Sequence, residues 1–107
     1  SIPLLPGMIV SNEPGYYKAN EYGIRIENLE IVQKYRCESE DFSDHMDMLC
    51  FETLTLIPID TSLISIELLS NDEIQWLNMY HEKVQDVLYD HILPETKTWL
   101  KTATKPL

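Results

Sequence analysis

Two stretches near the start decide how this chain is read: Pro6-Gly7-Met8-Ile9-Val10-Ser11-Asn12-Glu13-Pro14-Gly15-Tyr16-Tyr17 and, after a polar interval, Gly23-Ile24-Arg25-Ile26-Glu27-Asn28. Met8 to Glu13 reads as a short strand halted by the turn dipeptide Pro14-Gly15. Tyr16 to Tyr22 reads as a loop whose tip carries Lys18, Asn20 and Glu21. Gly23 to Val32 reads as a second strand, with Ile24 and Ile26 on one side and Arg25 and Glu27 on the other. Leu29 and Ile31 then share parity with Arg25 and Glu27, and this loss of phase predicts a bulge near Asn28. Gly7, Gly15 and Gly23 are the only glycines, so the demanding backbone is concentrated in this region.

Outward from there, Arg36 to Asp47 is an acidic loop, and Cys50 to Ile59 is a third strand rich in Thr, Leu and Ile. Ser70-Asn71-Asp72-Glu73 is a capping-box pattern with acids where a helix dipole favours them. Ile74, Leu77, Tyr80, Val84, Val87, Leu88 and Ile92 follow at helical spacing, and the helix is expected to end before Pro94. A shorter helix around Glu95 to Thr102 carries Trp99 and Leu100. Antiparallel strands followed by two helices predict an α+β fold. The expected division is a strand-rich part at 1–60 and a helical part at 61–107 packing on it.

Composition narrows the function. The chain has 107 residues, 44% hydrophobic, and a formal charge of −10 from 18 acidic and 8 basic side chains. Phosphates would be repelled without a basic stripe, so no nucleic-acid partner is expected. Anionic lipid is disfavoured for the same reason, and no apolar run reaches the roughly 18 to 20 residues that span a bilayer. No charged segment followed by an apolar run opens the chain, so no signal peptide is expected. Cys37 and Cys50 are too few for a disulfide scaffold and lack C-x-x-C spacing, which favours a reducing compartment. The start at Ser1, without Met and close to an apolar strand, reads as a cut in a longer protein.

The chemistry centres on Glu13 and Glu27. If the first two strands form a hairpin that brings these residues together, their Cβ atoms lie about 4.5 to 5.5 Å apart. Carboxylates so placed repel unless a proton or cation sits between them, and a carboxylate-bridged pair of divalent ions would satisfy both. Arg25 shares a face with Glu27 and could orient a ligating carboxylate. The plainer reading is a surface ion pair on an edge strand.

These residues resemble the end of the catalytic domain of Xaa-Pro aminopeptidase (aminopeptidase P), a metallopeptidase family of the pita-bread, creatinase/aminopeptidase-like fold. The resemblance continues through Phe51-Glu52-Thr53-Leu54-Thr55-Leu56-Ile57-Pro58-Ile59-Asp60, Trp76-Leu77-Asn78-Met79-Tyr80-His81, Trp99-Leu100 and Thr104-Lys105-Pro106-Leu107. It implies that Glu13 is a terminal metal ligand that also accepts a proton in catalysis, and that Glu27 bridges two metal ions. It implies that Tyr17 and Arg25 hydrogen-bond around that centre. Manganese is the family's usual metal, with zinc and cobalt as alternates. Two aspartates, one histidine and the substrate-binding histidines would lie upstream, so this chain would hold two ligands of five.

The activity implied is removal of the N-terminal residue from peptides with proline in second position, through a metal-bridged hydroxide, by a cytoplasmic homodimer. The alternative is a non-catalytic pita-bread-like binding scaffold or dimerisation module. Other features have plainer readings. His81-Glu82-Lys83-Val84-Gln85 begins like a zinc helix but lacks the second histidine, so His81 is expected on a helix surface. Asp41, Asp44, His45 and Asp47 read as a solvated loop. Glu52 serves strand packing or a surface contact, and Trp76, Met79, Tyr80 and Val84 form a packing stripe.

Overall fold

The computed structural model describes residues 1–35 and 48–107. The acidic cluster of Asp41, Asp44, His45 and Asp47 lies outside the described residues. The chain forms two compact units, Ser1–Thr55 and Leu56–Leu107.

The first unit opens on a turn. Leu5-Pro6-Gly7-Met8 closes with the Met8 N–H donating to the Leu5 carbonyl at 3.1 Å, and Gly7 has φ 92°, which only glycine adopts cheaply. Strand β1 (Ile9–Asn12) follows, then β2 (Gly15–Lys18), β3 (Tyr22–Arg25), β4 (Asn28–Lys34) and β5 (Leu49–Thr53). A three-stranded antiparallel sheet has the order β1-β4-β5, and β2 pairs with β3 as a separate two-stranded ribbon. Ala19 to Glu21 make the ribbon's tip, where Asn20 adopts a left-handed φ of 59° that its short amide tolerates. Three alternate positions of β4 face inward: Val32 is 1% exposed, and Asn28 and Glu30 are also buried, whereas Lys34 at the strand's end is exposed.

Three expectations are corrected here. Tyr16 to Tyr22 is a strand, a tip and the start of another strand, because Gly15 to Lys18 pair with Tyr22 to Arg25. No bulge sits near Asn28. Instead the ladder breaks at Ile26-Glu27, and pairing resumes in the same register with Asn12 opposite Asn28. The third strand stops at Thr53 instead of Ile59. The Thr55 hydroxyl takes the Leu29 N–H at 2.8 Å, and beyond it helix side chains take over the backbone groups.

The second unit is helical. Helix α1 (Asn71–Leu88) starts at a complete capping box: Glu73 N–H donates to the Ser70 hydroxyl at 3.2 Å, and Ser70 N–H to the Glu73 carboxylate at 2.8 Å. A short 3₁₀ turn, Tyr89–His91, leads to α2 (Pro94–Ala103), with Pro94 at the first turn where a missing N–H costs nothing. Leu77, Tyr80, Val84 and Leu100 make the core, covered by Leu56, Ile59, Ile64 and Ile92 among others.

Helix α1 also holds the segment before it. Tyr80 donates its hydroxyl to the Ile57 carbonyl at 2.9 Å, and the Ile59 N–H donates to His81 Nε2 at 3.0 Å. His81 is therefore a fully buried side chain, against the expectation of a surface histidine. Of the expected packing stripe, Tyr80 and Val84 are buried, while Trp76 and Met79 remain 49% and 61% exposed. Trp76 stacks on Tyr80 with ring centroids 5.5 Å apart.

Candidate metal centre

The two candidate carboxylates occupy matching interruptions of one antiparallel ribbon. β1 pairs with β4 and β2 with β3 in a single continuous register, so the two numbers of every facing pair have the same sum. Between the ladders lie Glu13-Pro14 on one side and Ile26-Glu27 on the other. That register sets Glu13 opposite Glu27 and Pro14 opposite Ile26. The Ile26 N–H donates to the Pro14 carbonyl at 3.3 Å, which holds the two chains together across the break. Pro14 has no N–H to give to a ladder, which helps to explain why regular pairing lapses here.

Residues of one parity share a face of such a ribbon. Glu13, Gly15 and Tyr17 on one strand face Glu27, Arg25 and Gly23 on the other. All four candidate residues, Glu13, Tyr17, Arg25 and Glu27, thus fall on one face. Arg25 Nη1 lies 3.5 Å from Glu27 Oε1, with the side chains 59% and 37% exposed. At that exposure the pair contributes at most about 1 kcal/mol. Tyr17 is 65% exposed, and its ring lies across Gly15 and Gly23.

The donor chemistry fits a divalent cation. Two carboxylates at facing positions would suit a hard divalent ion, and such a cation would offset the repulsion between them. Among the described residues, no group of three or more His, Cys, Asp or Glu side chains could hold a metal ion. His81 is not a ligand, because its Nε2 already accepts the Ile59 N–H inside the helical unit. Glu52 faces Ile31 on β4 and accepts a hydrogen bond from the Gln33 amide. Neither contact involves the candidate carboxylates. No helix among the described residues is long and apolar enough to cross a membrane.

Comparison with known proteins matches residues 1–34 to metallopeptidase family M24 and residues 47–107 to the family described as the C-terminal region of peptidase M24. Aminopeptidase P1 of Lotus japonicus is 41% identical over the whole chain, and aminopeptidase P2 of Arabidopsis thaliana is 45% identical over 98% of it. The chain spans only 16% and 15% of those two proteins. The crystal structure of X-prolyl aminopeptidase from Caenorhabditis elegans, a cytosolic enzyme with a di-nuclear active site, superimposes with a TM-score of 0.81. That match covers 97% of this chain and 17% of the other, at 36% identity. The fold is therefore the C-terminal part of a pita-bread domain, antiparallel strands followed by two helices.

Proposed function

This chain belongs to metallopeptidase family M24, and from that premise we propose that it forms the C-terminal part of an Xaa-Pro aminopeptidase. Residues 1–60 are the strand-rich end of its catalytic domain, and residues 61–107 are a helical extension. The parent protein removes the N-terminal residue from peptides with proline in second position, and it acts as a cytoplasmic homodimer. The observation that carries the reading is the facing of Glu13 and Glu27 across the interrupted ribbon.

In this reading Glu13 and Glu27 would hold the metal ions, manganese first among the candidates. Bound there, the ions supply Lewis acidity toward water and toward the scissile carbonyl. Glu13 also takes a proton during the reaction, the task of a general base. Arg25 holds the Glu27 carboxylate in orientation from the same face of the ribbon. Tyr17 supplies a hydroxyl that can donate to an oxygen at the centre.

The test uses the full-length parent, a peptide with proline in second position and metal analysis. Glu27→Ala is expected to lose bound metal and at least about a hundredfold in kcat, as removal of a strong electrostatic group does. Glu52→Ala should keep both. Equal losses from the two variants would refute the assignment of the glutamates. A folded parent that neither binds metal nor turns over peptide would be the non-catalytic scaffold instead.

A further inference from the structure

Gly15 and Gly23 lie within strands, and neither has the positive φ that makes Gly7 necessary. Backbone freedom does not account for them, and alanine in a strand would ordinarily be no worse. What excludes a side chain is Tyr17. A Cβ on Gly23 would sit 2.8 Å from Tyr17 Cδ1 and 3.1 Å from Cε1. A Cβ on Gly15 would sit 3.0 Å from Cε2 and 3.0 Å from the hydroxyl oxygen. Carbon atoms rest about 3.5 to 4.0 Å apart, so either methyl group would force the ring aside.

The contacts also give the ring a direction. Tyr17 faces Gly23 across the ribbon, and Gly15 is its neighbour on the same face of its own strand. The base of the ring lies against Gly23 and its hydroxyl end over Gly15. A strand side chain normally stands roughly upright from its sheet. Here the ring lies down over two missing side chains and points back along the strand, toward the position of Glu13. Tyr17 stays 65% exposed, so the glycines orient the ring and do little to bury it.

We propose that Gly15 and Gly23 are positioning residues: together they form a seat that lays the Tyr17 ring along the ribbon and sends its hydroxyl toward the Glu13–Glu27 pair. This rests on the function proposed above. Gly23 is the stricter of the two, because it meets the stiff base of the ring, whereas Gly15 meets the far end.

The experiment places Gly23→Ala and Gly15→Ala in the full-length parent, each with Tyr17 and with Tyr17→Phe. With Tyr17 present, Gly23→Ala is expected to lower kcat about tenfold or more, since sub-ångström to ångström misplacement at a reacting centre has that scale of cost. KM and bound metal should stay near their original values. In the Tyr17→Phe background no hydroxyl remains to be misdirected, and Gly23→Ala should then change kcat less than about twofold, the mark of two residues acting through one interaction. Equal fold losses in both backgrounds would overturn the proposal, because a general strand defect would act regardless of the hydroxyl.

Fluorotyrosine at position 17 gives a second readout, its ¹⁹F signal shifting in both glycine variants. An unmoved signal would overturn the seat itself. Should Gly23→Ala fail to fold, Gly15→Ala carries the same comparison. A folded wild-type parent inactive on proline-containing peptides would refute the functional reading, and the fluorine comparison would still decide the seat.

Discussion

Acidifying the solution from pH 7.5 to 5.5 should weaken the helical unit through one residue, His81. Its ring is fully buried, and burial holds its pKa below the ordinary value of 6.5. Nε2 accepts the Ile59 N–H, which leaves the ring proton on Nδ1, where no hydrogen-bond partner exists among the described residues. The folded state therefore keeps His81 neutral while the unfolded chain takes up a proton near pH 6.5. The sign follows: the contribution is complete above 6.5 and declines as pH falls toward the depressed folded value.

At pH 5.5, one unit below the unfolded pKa, the penalty reaches up to about 1.4 kcal/mol. For a domain of this size that is a fall in Tm of roughly 6 to 10 °C. The loss of negative self-repulsion on acidification acts in the opposite direction, so a fall is diagnostic. Thermal unfolding of the chain and of His81→Gln at both pH values is the assay. Glutamine retains an acceptor without titrating, and its melting point should change by only about 1–2 °C across the window. Identical pH slopes for the two proteins would refute the reasoning.

The 107-residue chain alone should show no turnover of a proline-containing peptide and only weak manganese binding, because two carboxylates leave most of the coordination to water. Sub-micromolar affinity by calorimetry, abolished by Glu13→Ala, would contradict this. Leu100→Ala, at a core position 1% exposed, should cost about 2 to 5 kcal/mol in chemical denaturation, against about 1 kcal/mol for Ser70→Ala at the capping box. Exposed Trp76, Met79, Leu93 and Trp99 favour association, while the charge of −10 opposes it at low salt. Sedimentation equilibrium should find a dimer or small oligomer that tightens as salt rises, and a monomer at both high and low salt would contradict that expectation.

What could be read from the sequence was local or periodic. The capping box is four consecutive residues, and it formed as written. The facing of Glu13 and Glu27 follows from a hairpin and its parity, so it too was legible. Strand β2 was not, because all four of its residues are exposed and Gly15 with the polar tip suggested a loop. The end of β5 depended on side chains far away in sequence. Thr55 intercepts the Leu29 N–H, while Tyr80 and His81 hold Ile57 and Ile59, and a Leu-Thr-Leu-Ile run cannot announce that. For His81 a signal did exist. It stands four residues after Leu77 and three before Val84, on the helix face those two share, but the Glu82-Lys83 neighbours argued for solvent.

The continuous register has a consequence for how such sites can be found. Residues added at the Asn20 tip lengthen the chain between Glu13 and Glu27 without changing which positions meet, since each strand slides past nothing. A single residue added within β2 ahead of Tyr17 would turn that ring to the opposite face from Glu13. Across relatives, then, the separation of the two glutamates along the chain can vary freely, while their distances from the tip must change together. A search pattern that fixes the gap would lose members with longer hairpins. One that pairs outward from the turn would keep them.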